Sequence, residues 1–211
     1  VQTCALPILL ESGELAGLVG RGIRGLTSNP TIFQQAIGRS AAYDTQIRDV
    51  VAAQPASSTQ QVFEELAVRD IRDAADVLRD VYDESDGADG FVSLEVSPHL
   101  AHDTDGTISE ARRLWAWVDR PNLMIKVPAT PAGLESLEEL AASGVTINVT
   151  LIFSPRQYRA ARDAVWRGAR RRGSLDGFKS VYSIFVSRVD VYTEEHVPQL
   201  SKAAQGEVGI V

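Results

Sequence analysis

The sequence predicts an α/β fold in which short strands alternate with helices around a parallel sheet. Runs rich in β-branched residues occur five times, and each is followed by a stretch whose apolar residues have helical spacing. Such regular alternation is typical of parallel α/β sheets. With 211 residues, of which 44% are hydrophobic and 23% charged, the chain has the composition of a globular domain with a sizeable core.

The predicted elements follow one another without a repeat or linker that would mark a domain boundary. Ser57 or Ser58 can cap the longest helix, and Ser154 together with Pro155 can begin a later one. The predicted strands are residues 23–28, 90–96, 123–127, 146–152 and 180–187. The predicted helices are residues 9–19, 58–83, 109–118, 131–142 and 155–171, followed by a helix that starts at Asp190.

Polar side chains recur at or near the C-terminal ends of all five predicted strands. In a (β/α)8 barrel these ends converge on one site, whereas an open doubly wound sheet concentrates its polar residues at one switch point. The recurrence favours a (β/α)8 TIM barrel, and an incomplete one, because such barrels usually need about 250 residues. The strand-end residues are Thr27, Asn29, Glu95, Lys126, Asn148, Thr150, Ser183 and Arg188.

Composition and motifs argue against several other classes of protein. The net charge of −7 and the pI near 5.0 give no basic surface for nucleic acid, and the arginines at 167 and 170–172 are interpreted as a solvated helix end. The single cysteine, Cys4, precludes an internal disulfide, and the absence of a signal peptide or long apolar run favours the cytoplasm. Neither zinc-like spacing nor a GxGxxG pattern is present, and residues 103–106 are interpreted as a turn.

Lys126 is the first candidate for chemistry, because it lies inside the apolar run Met124–Pro128. An ionised lysine in such a setting is costly unless it is paired, and a desolvated amine is more readily held in the neutral form that attacks a carbonyl. A structural role remains open at this point. The lysine could snorkel from the strand end or form an ion pair with Glu95.

Glu95, Asn148 and Thr150 extend this candidate site. Glu95 lies on the preceding strand between apolar neighbours, and Asn148 and Thr150 are two residues apart on the following strand, so they should share a face. Together with Lys126 they would provide an amine, a carboxylate, an amide and a hydroxyl. Arg188 suits a phosphate or carboxylate through its planar guanidinium, although a surface salt bridge is the alternative.

Five ordered segments resemble the transaldolase family, and the longer bacterial type in particular. The segment GLTSNPTIF resembles the family's signature at its second strand, and the others resemble the strands that follow it. The resemblance as a whole covers essentially everything from Leu9 to the end. The segments are Gly25–Phe33, Val92–Pro98, Ile125–Thr130, Ile147–Ser154 and Ser183–Arg188.

The resemblance implies a class I transaldolase of the non-oxidative pentose phosphate pathway. Lys126 would form an imine with a ketose phosphate such as fructose 6-phosphate, and an aldose phosphate such as erythrose 4-phosphate would accept the dihydroxyacetone unit. Glu95 and Thr150 would position water. No metal or organic cofactor is implied, and the expected partners are sugar phosphates. The residues expected to bind or surround substrate are Thr27, Asn29, Asn148, Ser183 and Arg188.

The same resemblance predicts that parts of the barrel are missing. The family's first strand ends in an acid/base aspartate, but no aspartate occurs before Asp44. Residues 1–8 match the translation of a common sequencing adapter and are expected to be an artefact, which leaves 9–211 as a partial barrel containing about strands 2 to 6. We therefore expect this polypeptide to be inactive. Two alternatives are an aldolase that cleaves fructose 6-phosphate without transfer, and a non-catalytic sugar-phosphate-binding relic.

Overall fold

The fold is α/β, as predicted, and contains a parallel sheet whose five strands are arranged in chain order. A computed structural model describes residues 9, 10 and 12–196. Cys4 and the proposed adapter-derived octapeptide therefore lie outside the described residues. Five consecutive strand-and-helix units match the expectation of a partial (β/α)8 barrel. None of the helices within the described ranges is long and apolar enough to cross a membrane.

The described residues form two compact units, and the first contains the residues up to Pro98 together with Ala111–Ile125. Its two complete strands pair in parallel, with Leu26 opposite Val92. Its strands are β1 (Gly25–Thr27) and β2 (Phe91–Glu95). Its complete helices are α1 (Glu14–Gly20), α2 (Pro30–Arg39), α3 (Asp44–Ala53), α4 (Thr59–Val77) and α5 (Arg79–Glu84).

The second unit contains His99–Glu110 and the residues from Lys126 onward. Helix α6 (Thr104–Val118) and strand β3 (Leu123–Pro128) each contribute residues to both units. Within the second unit β4 and β5 pair in parallel, with Asn148 opposite Val181. Its remaining elements are α7 (Pro131–Ala142), β4 (Ile147–Ile152), α8 (Pro155–Arg170), β5 (Ser180–Ile184) and α9 (Val186–His196).

Three helices begin with the same local signal, a capping residue followed by proline. The caps are Asn29, Thr130 and Ser154, and each side chain accepts a hydrogen bond from a backbone N–H in the first turn. Proline suits the first helical position because its missing N–H would have no intrahelical partner there. Helix α4 instead begins with a capping box between Ser58 and Gln61, which selects Ser58 over Ser57 as its cap.

Several predicted boundaries are wrong. The long helix from Ser58 to Asp83 is two helices, α4 and α5, which meet at Leu78. A turn at Ser12-Gly13, where Gly13 has φ 70°, interrupts the helix predicted for residues 9–19. The supposed turn at 103–106 instead begins helix α6, because the carboxylate of Asp103 accepts the N–H of Gly106 at 2.9 Å. Helices α2 and α3 were not predicted.

Helices α7 and α8 pack closely in the second unit, and a glycine makes this approach feasible. A Cβ built on Gly168 would lie 2.1 Å from the Glu138 carbonyl oxygen and 2.8 Å from the Ala141 Cβ. Ion pairs border the contact, since Arg167 reaches Glu138 at 2.8 Å and Arg171 reaches Glu139 at 2.9 Å. The arginines at this end of α8 therefore include two that pair with carboxylates of α7.

Candidate active site

Lys126 is buried within β3, as its apolar surroundings predict. Every residue of this strand is buried, and the lysine is only 7% exposed. A strand covered on both faces is typical of a parallel sheet with helices outside it. The amine therefore lies in a water-poor environment at a fixed point on a strand, where little conformational freedom would be lost on reaction.

Asn148 and Thr150 are buried on β4, next to β3. The Ala129 N–H donates to the Thr150 carbonyl at 2.7 Å, which joins the C-terminal ends of the two strands. In a parallel ladder each N–H bonds to the residue before its partner, so this bond aligns Ala129 with Leu151.

Ser183 on β5 joins this group through a direct contact. Its hydroxyl donates to Oδ1 of Asn148 at 2.9 Å. Asn148 is 5% exposed, so its amide is held in one orientation by a neighbour rather than by solvent. The second unit thus places polar residues on three successive strands, at Lys126, Asn148 and Ser183, although Asn148 is only the second residue of β4 and not near its C-terminal end.

The hydroxyl of Thr150 is the most unusual polar group of the site. Thr150 is 1% exposed, and its Oγ1 has no hydrogen-bond partner among the described residues. A buried hydroxyl without a partner costs about 1–3 kcal/mol, and native proteins keep few such groups. The group can donate one hydrogen bond and accept others, which is what the ordering of a reactive water or a substrate oxygen requires.

The backbone directly after Thr150 is irregular. Leu151 has φ 57°, and the pairing of β4 with β5 shifts between Val149 and Ile152, as in a β-bulge. A left-handed conformation is unfavourable for leucine, since its Cβ crowds the following carbonyl oxygen. Such strain persists only where surrounding contacts hold it, and it is often found at functional sites.

Thr27 and Glu95 end strands of the first unit, and Asn29 lies two residues after β1. Thr27 is the exposed last residue of β1, and Glu95 is the half-buried last residue of β2. Asn29 has a structural role that the sequence reasoning missed, because its Oδ1 caps helix α2 by accepting the Ile32 N–H at 2.9 Å. Its side-chain NH2 group is not part of this cap. The pairing of Glu95 with Lys126 remains a prediction.

Arg188 does not end a strand, contrary to the prediction. Strand β5 ends at Ile184, and Arg188 is the third residue of helix α9. Its guanidinium lies 4.5 Å from the ring centroid of Phe185, which stacks on Phe153 with centroids 5.4 Å apart. The two phenylalanines follow β5 and β4, so the exposed arginine still lies close to the C-terminal ends of these strands.

The strongest electrostatic perturbation lies outside the predicted site, in the first unit. The hydroxyl of Tyr43 donates to Asp70 Oδ2 at 2.6 Å, and both residues are buried. Burial raises the pKa of Asp70 to about 7, although the hydrogen bond from Tyr43 opposes this change. Burial also raises the pKa of Tyr43 above its usual value. The neighbours of Tyr43 are hydrophobic, which indicates a structural pair.

Comparison with known proteins identifies the family. A family model described as "Transaldolase/Fructose-6-phosphate aldolase" matches residues 12–211. The chain belongs to this family. In the part of the chain that the structure describes, no group of three or more His, Cys, Asp or Glu side chains could hold a metal ion.

Individual transaldolases support the assignment to the transaldolase/fructose-6-phosphate aldolase family. The chain is 50% identical to the transaldolase of Thermobifida fusca over 203 residues, which cover 94% of this chain and 54% of the relative. It is 47% identical to that of Saccharopolyspora erythraea over 193 residues (89% and 52%). It is 40% identical to that of Trichodesmium erythraeum over 219 residues (96% and 57%). The chain spans about half the length of these curated relatives.

Proposed function

We propose that this chain carries the imine-forming part of a transaldolase, with Lys126 as the nucleophile. The whole protein would move a dihydroxyacetone unit from a ketose phosphate, such as fructose 6-phosphate or sedoheptulose 7-phosphate, to an aldose phosphate. The observation that carries the proposal is the buried amine of Lys126 on β3, next to the strand that bears the buried Asn148 and the unpaired hydroxyl of Thr150.

The reaction begins with imine formation. The neutral amine of Lys126 adds to the C2 carbonyl of the ketose, and loss of water gives a protonated imine. The hydroxyl of Thr150 and the carboxylate of Glu95 hold this water as it leaves and, after transfer, as it returns to hydrolyse the imine. Only the unprotonated amine is nucleophilic, so the addition starts from the form of Lys126 that carries a free lone pair.

Carbon–carbon bond cleavage follows. The C3–C4 bond breaks, its electrons enter the imine to form an enamine, and the proton of the C4 hydroxyl is removed as the aldose phosphate leaves. The enamine then attacks the aldehyde of the acceptor, and hydrolysis releases the new ketose. Asn148 and Ser183, held to each other at 2.9 Å, are suited to bind hydroxyls of the sugar. Thr27 and Asn29 would line the same site, and Arg188 would bind the phosphate.

Trapping with borohydride tests the proposal. Incubation with fructose 6-phosphate and sodium borohydride should reduce the imine to a stable secondary amine, and peptide mass spectrometry should locate the adduct on Lys126. Lys126→Arg keeps the charge but should abolish trapping, because the guanidinium does not form an imine. Lys179→Arg, at a half-buried lysine of the same unit, is the matched control and should trap normally. An adduct on Lys179, or trapping that survives in Lys126→Arg, contradicts the proposal.

Turnover separates the proposed activity from its alternatives. We expect the 211-residue chain to trap substrate without appreciable turnover, because acid/base removal of the C4 hydroxyl proton needs a group that this sequence does not provide before Asp44. For a polypeptide that includes that group, sedoheptulose 7-phosphate formed with erythrose 4-phosphate indicates a transaldolase. Cleavage without transfer indicates a fructose-6-phosphate aldolase. Binding of substrate without trapping indicates a sugar-phosphate-binding relic.

A further inference from the structure

One side chain, Gln157, connects the C-terminal ends of β3 and β4. Gln157 lies in the first turn of α8, and its Nε2 donates to two carbonyl oxygens, that of Ala129 at 3.2 Å and that of Leu151 at 3.3 Å. Its Oε1 accepts the N–H of Phe153 at 3.1 Å and the hydroxyl of Ser154 at 3.3 Å. Both ends of a single amide are therefore used.

The two carbonyls that Gln157 binds border the candidate site. Leu151 follows Thr150 and has the left-handed φ of 57°, so Nε2 holds the peptide that bears the backbone strain. Ala129 is three residues beyond Lys126, and its N–H donates to the Thr150 carbonyl. The N–H of Ala129 is thus bonded to Thr150, and its carbonyl oxygen is bonded to Gln157.

We propose that Gln157 is a positioning residue, which fixes the Thr150 hydroxyl relative to the Lys126 amine by bracing the ends of their strands. This role rests on the proposed function, in which those two groups form and hydrolyse the imine. An error of about 1 Å between reacting groups can cost on the order of 100-fold in rate. The two hydrogen bonds from Gln157 Nε2 to Ala129 and Leu151, called the brace below, act on the two backbone segments that set the separation of these groups.

A helix-capping role for Gln157 uses different atoms. Ser154 caps α8 by accepting the Gln157 N–H at 3.3 Å, and the Gln157 side chain reaches back through Oε1 to Phe153 and Ser154. This arrangement is close to a capping box and needs only an acceptor. The two bonds from Nε2 contribute nothing to the cap. An acceptor of the same length at this position therefore keeps the cap and removes the brace.

The substitution Gln157→Glu separates the helix-capping role of Gln157 from the proposed positioning role. A carboxylate accepts both bonds that Oε1 accepts, donates neither of the others, and is favourable in the first turn of a helix. The matched control is Gln61→Glu, which also replaces the third helical residue after a serine cap. There Oε1 accepts the Ser58 N–H at 2.7 Å, and a glutamate serves equally well. Gln157→Met removes all four bonds without adding a charge and provides a second variant of similar length.

Backbone and side-chain NMR on the 211-residue chain gives the primary measurement. We expect Gln157→Glu and Gln157→Met to speed hydrogen exchange at the Ala129 amide at least about 10-fold and to shift the Thr150 methyl resonance. Gln61→Glu should change neither. Amide exchange in the middle of α8 should remain unchanged in Gln157→Glu, since its cap is retained. If Ala129 and Thr150 behave as in the unaltered chain in both Gln157 variants, the brace does not exist.

Borohydride trapping separates this proposal from the proposed function. The rate of imine trapping on Lys126 should fall about 10- to 100-fold in Gln157→Glu and remain unchanged in Gln61→Glu. If the unaltered chain traps nothing on Lys126, the proposed function is wrong, and the NMR measurement alone decides whether Gln157 fixes Thr150. If NMR shows the brace broken while trapping keeps its rate, Gln157 is structural and the positioning role is wrong.

Discussion

The buried carboxyl group of Asp70 should make the first unit less stable as the pH rises. Asp70 is 1% exposed on α4, and its Oδ2 accepts the hydroxyl of Tyr43 at 2.6 Å. Burial raises its pKa to about 7, and the nearby charge of Asp73 adds to this effect. The Tyr43 hydrogen bond and the charge of Arg69 act in the opposite direction but are outweighed.

The sign of the effect follows from proton binding. In the unfolded chain Asp70 has a pKa near 3.8, so between about pH 4 and pH 7 the folded protein holds a proton that the unfolded chain has lost. Stability from this group is therefore fully present below pH 4 and falls as the pH rises to 7. One pKa unit corresponds to about 1.4 kcal/mol, so the whole change is on the order of 4 kcal/mol.

Urea unfolding followed by tryptophan fluorescence can measure this loss. Trp115 and Trp117 belong to the first unit and Trp166 to the second, so a Trp166→Phe background restricts the signal to the first unit. From pH 5 to pH 8 the free energy of unfolding of this background should fall by about 3 kcal/mol relative to the same background with Asp70→Asn. Asparagine keeps an acceptor for Tyr43 but has no proton to lose.

The difference between the two proteins isolates Asp70, because every other titrating group is common to both. If their unfolding free energies change in parallel between pH 5 and pH 8, the carboxyl group is already ionised in the folded protein, and the argument from burial is wrong. If Asp70→Asn is less stable than its parent at pH 8, the ionised carboxylate contributes more through its hydrogen bond with Tyr43 than its burial costs.

Two further predictions concern stability, one through helix packing and one through buried hydrogen bonds. Gly168→Ala should lower the free energy of unfolding by about 2–3 kcal/mol, because the new methyl group would lie 2.1 Å from the Glu138 carbonyl oxygen. Gly38→Ala, on helix α2 with no atom within 4 Å of the new methyl group, should instead raise the free energy of unfolding by ~0.5–1 kcal/mol. If urea unfolding shows that both variants are stabilised, or that both are destabilised, the packing argument is wrong. Asn122→Ala should lower the free energy of unfolding by about 3 kcal/mol in the same assay, because the fully buried Nδ2 donates to two carbonyls at 2.8 Å and 2.9 Å. A decrease of less than ~1 kcal/mol would contradict this.

The sequence predicts an element well where local signals and burial agree. The bounds predicted for α7, 131–142, are those observed, because Thr130-Pro131 gives a clear start and an apolar stripe continues to its end. The break at Leu78 could not be predicted in this way, since neither glycine nor proline marks it. Helix α2 was missed because Asn29 was interpreted only as a polar strand-end residue, although a capping residue before proline also begins helices.

The candidate site was predictable to the extent that it depends on which strands carry polar residues. Lys126, Asn148 and Ser183 lie on successive strands, and the contact between the last two is direct. Arg188 was misplaced because an apolar, β-branched run continues past the point where β5 stops, and α9 begins within that run. Gln157 was missed because a glutamine in the first turn of a helix has no distinguishing sequence feature, and its role depends on two carbonyls brought close by the fold.

The bulge in β4 explains how one short strand can serve both the site and the core. Val149 pairs with Tyr182 and Ile152 with Ile184, so three steps on β4 match two on β5. In a regular strand Ile152 would share a face with Asn148 and Thr150, because side chains alternate. The extra residue moves Ile152, which is fully buried, to the face of Val149 and leaves the opposite face to the polar residues. The left-handed conformation of Leu151 produces this reversal, and the hydrogen bond from Gln157 to its carbonyl stabilises it.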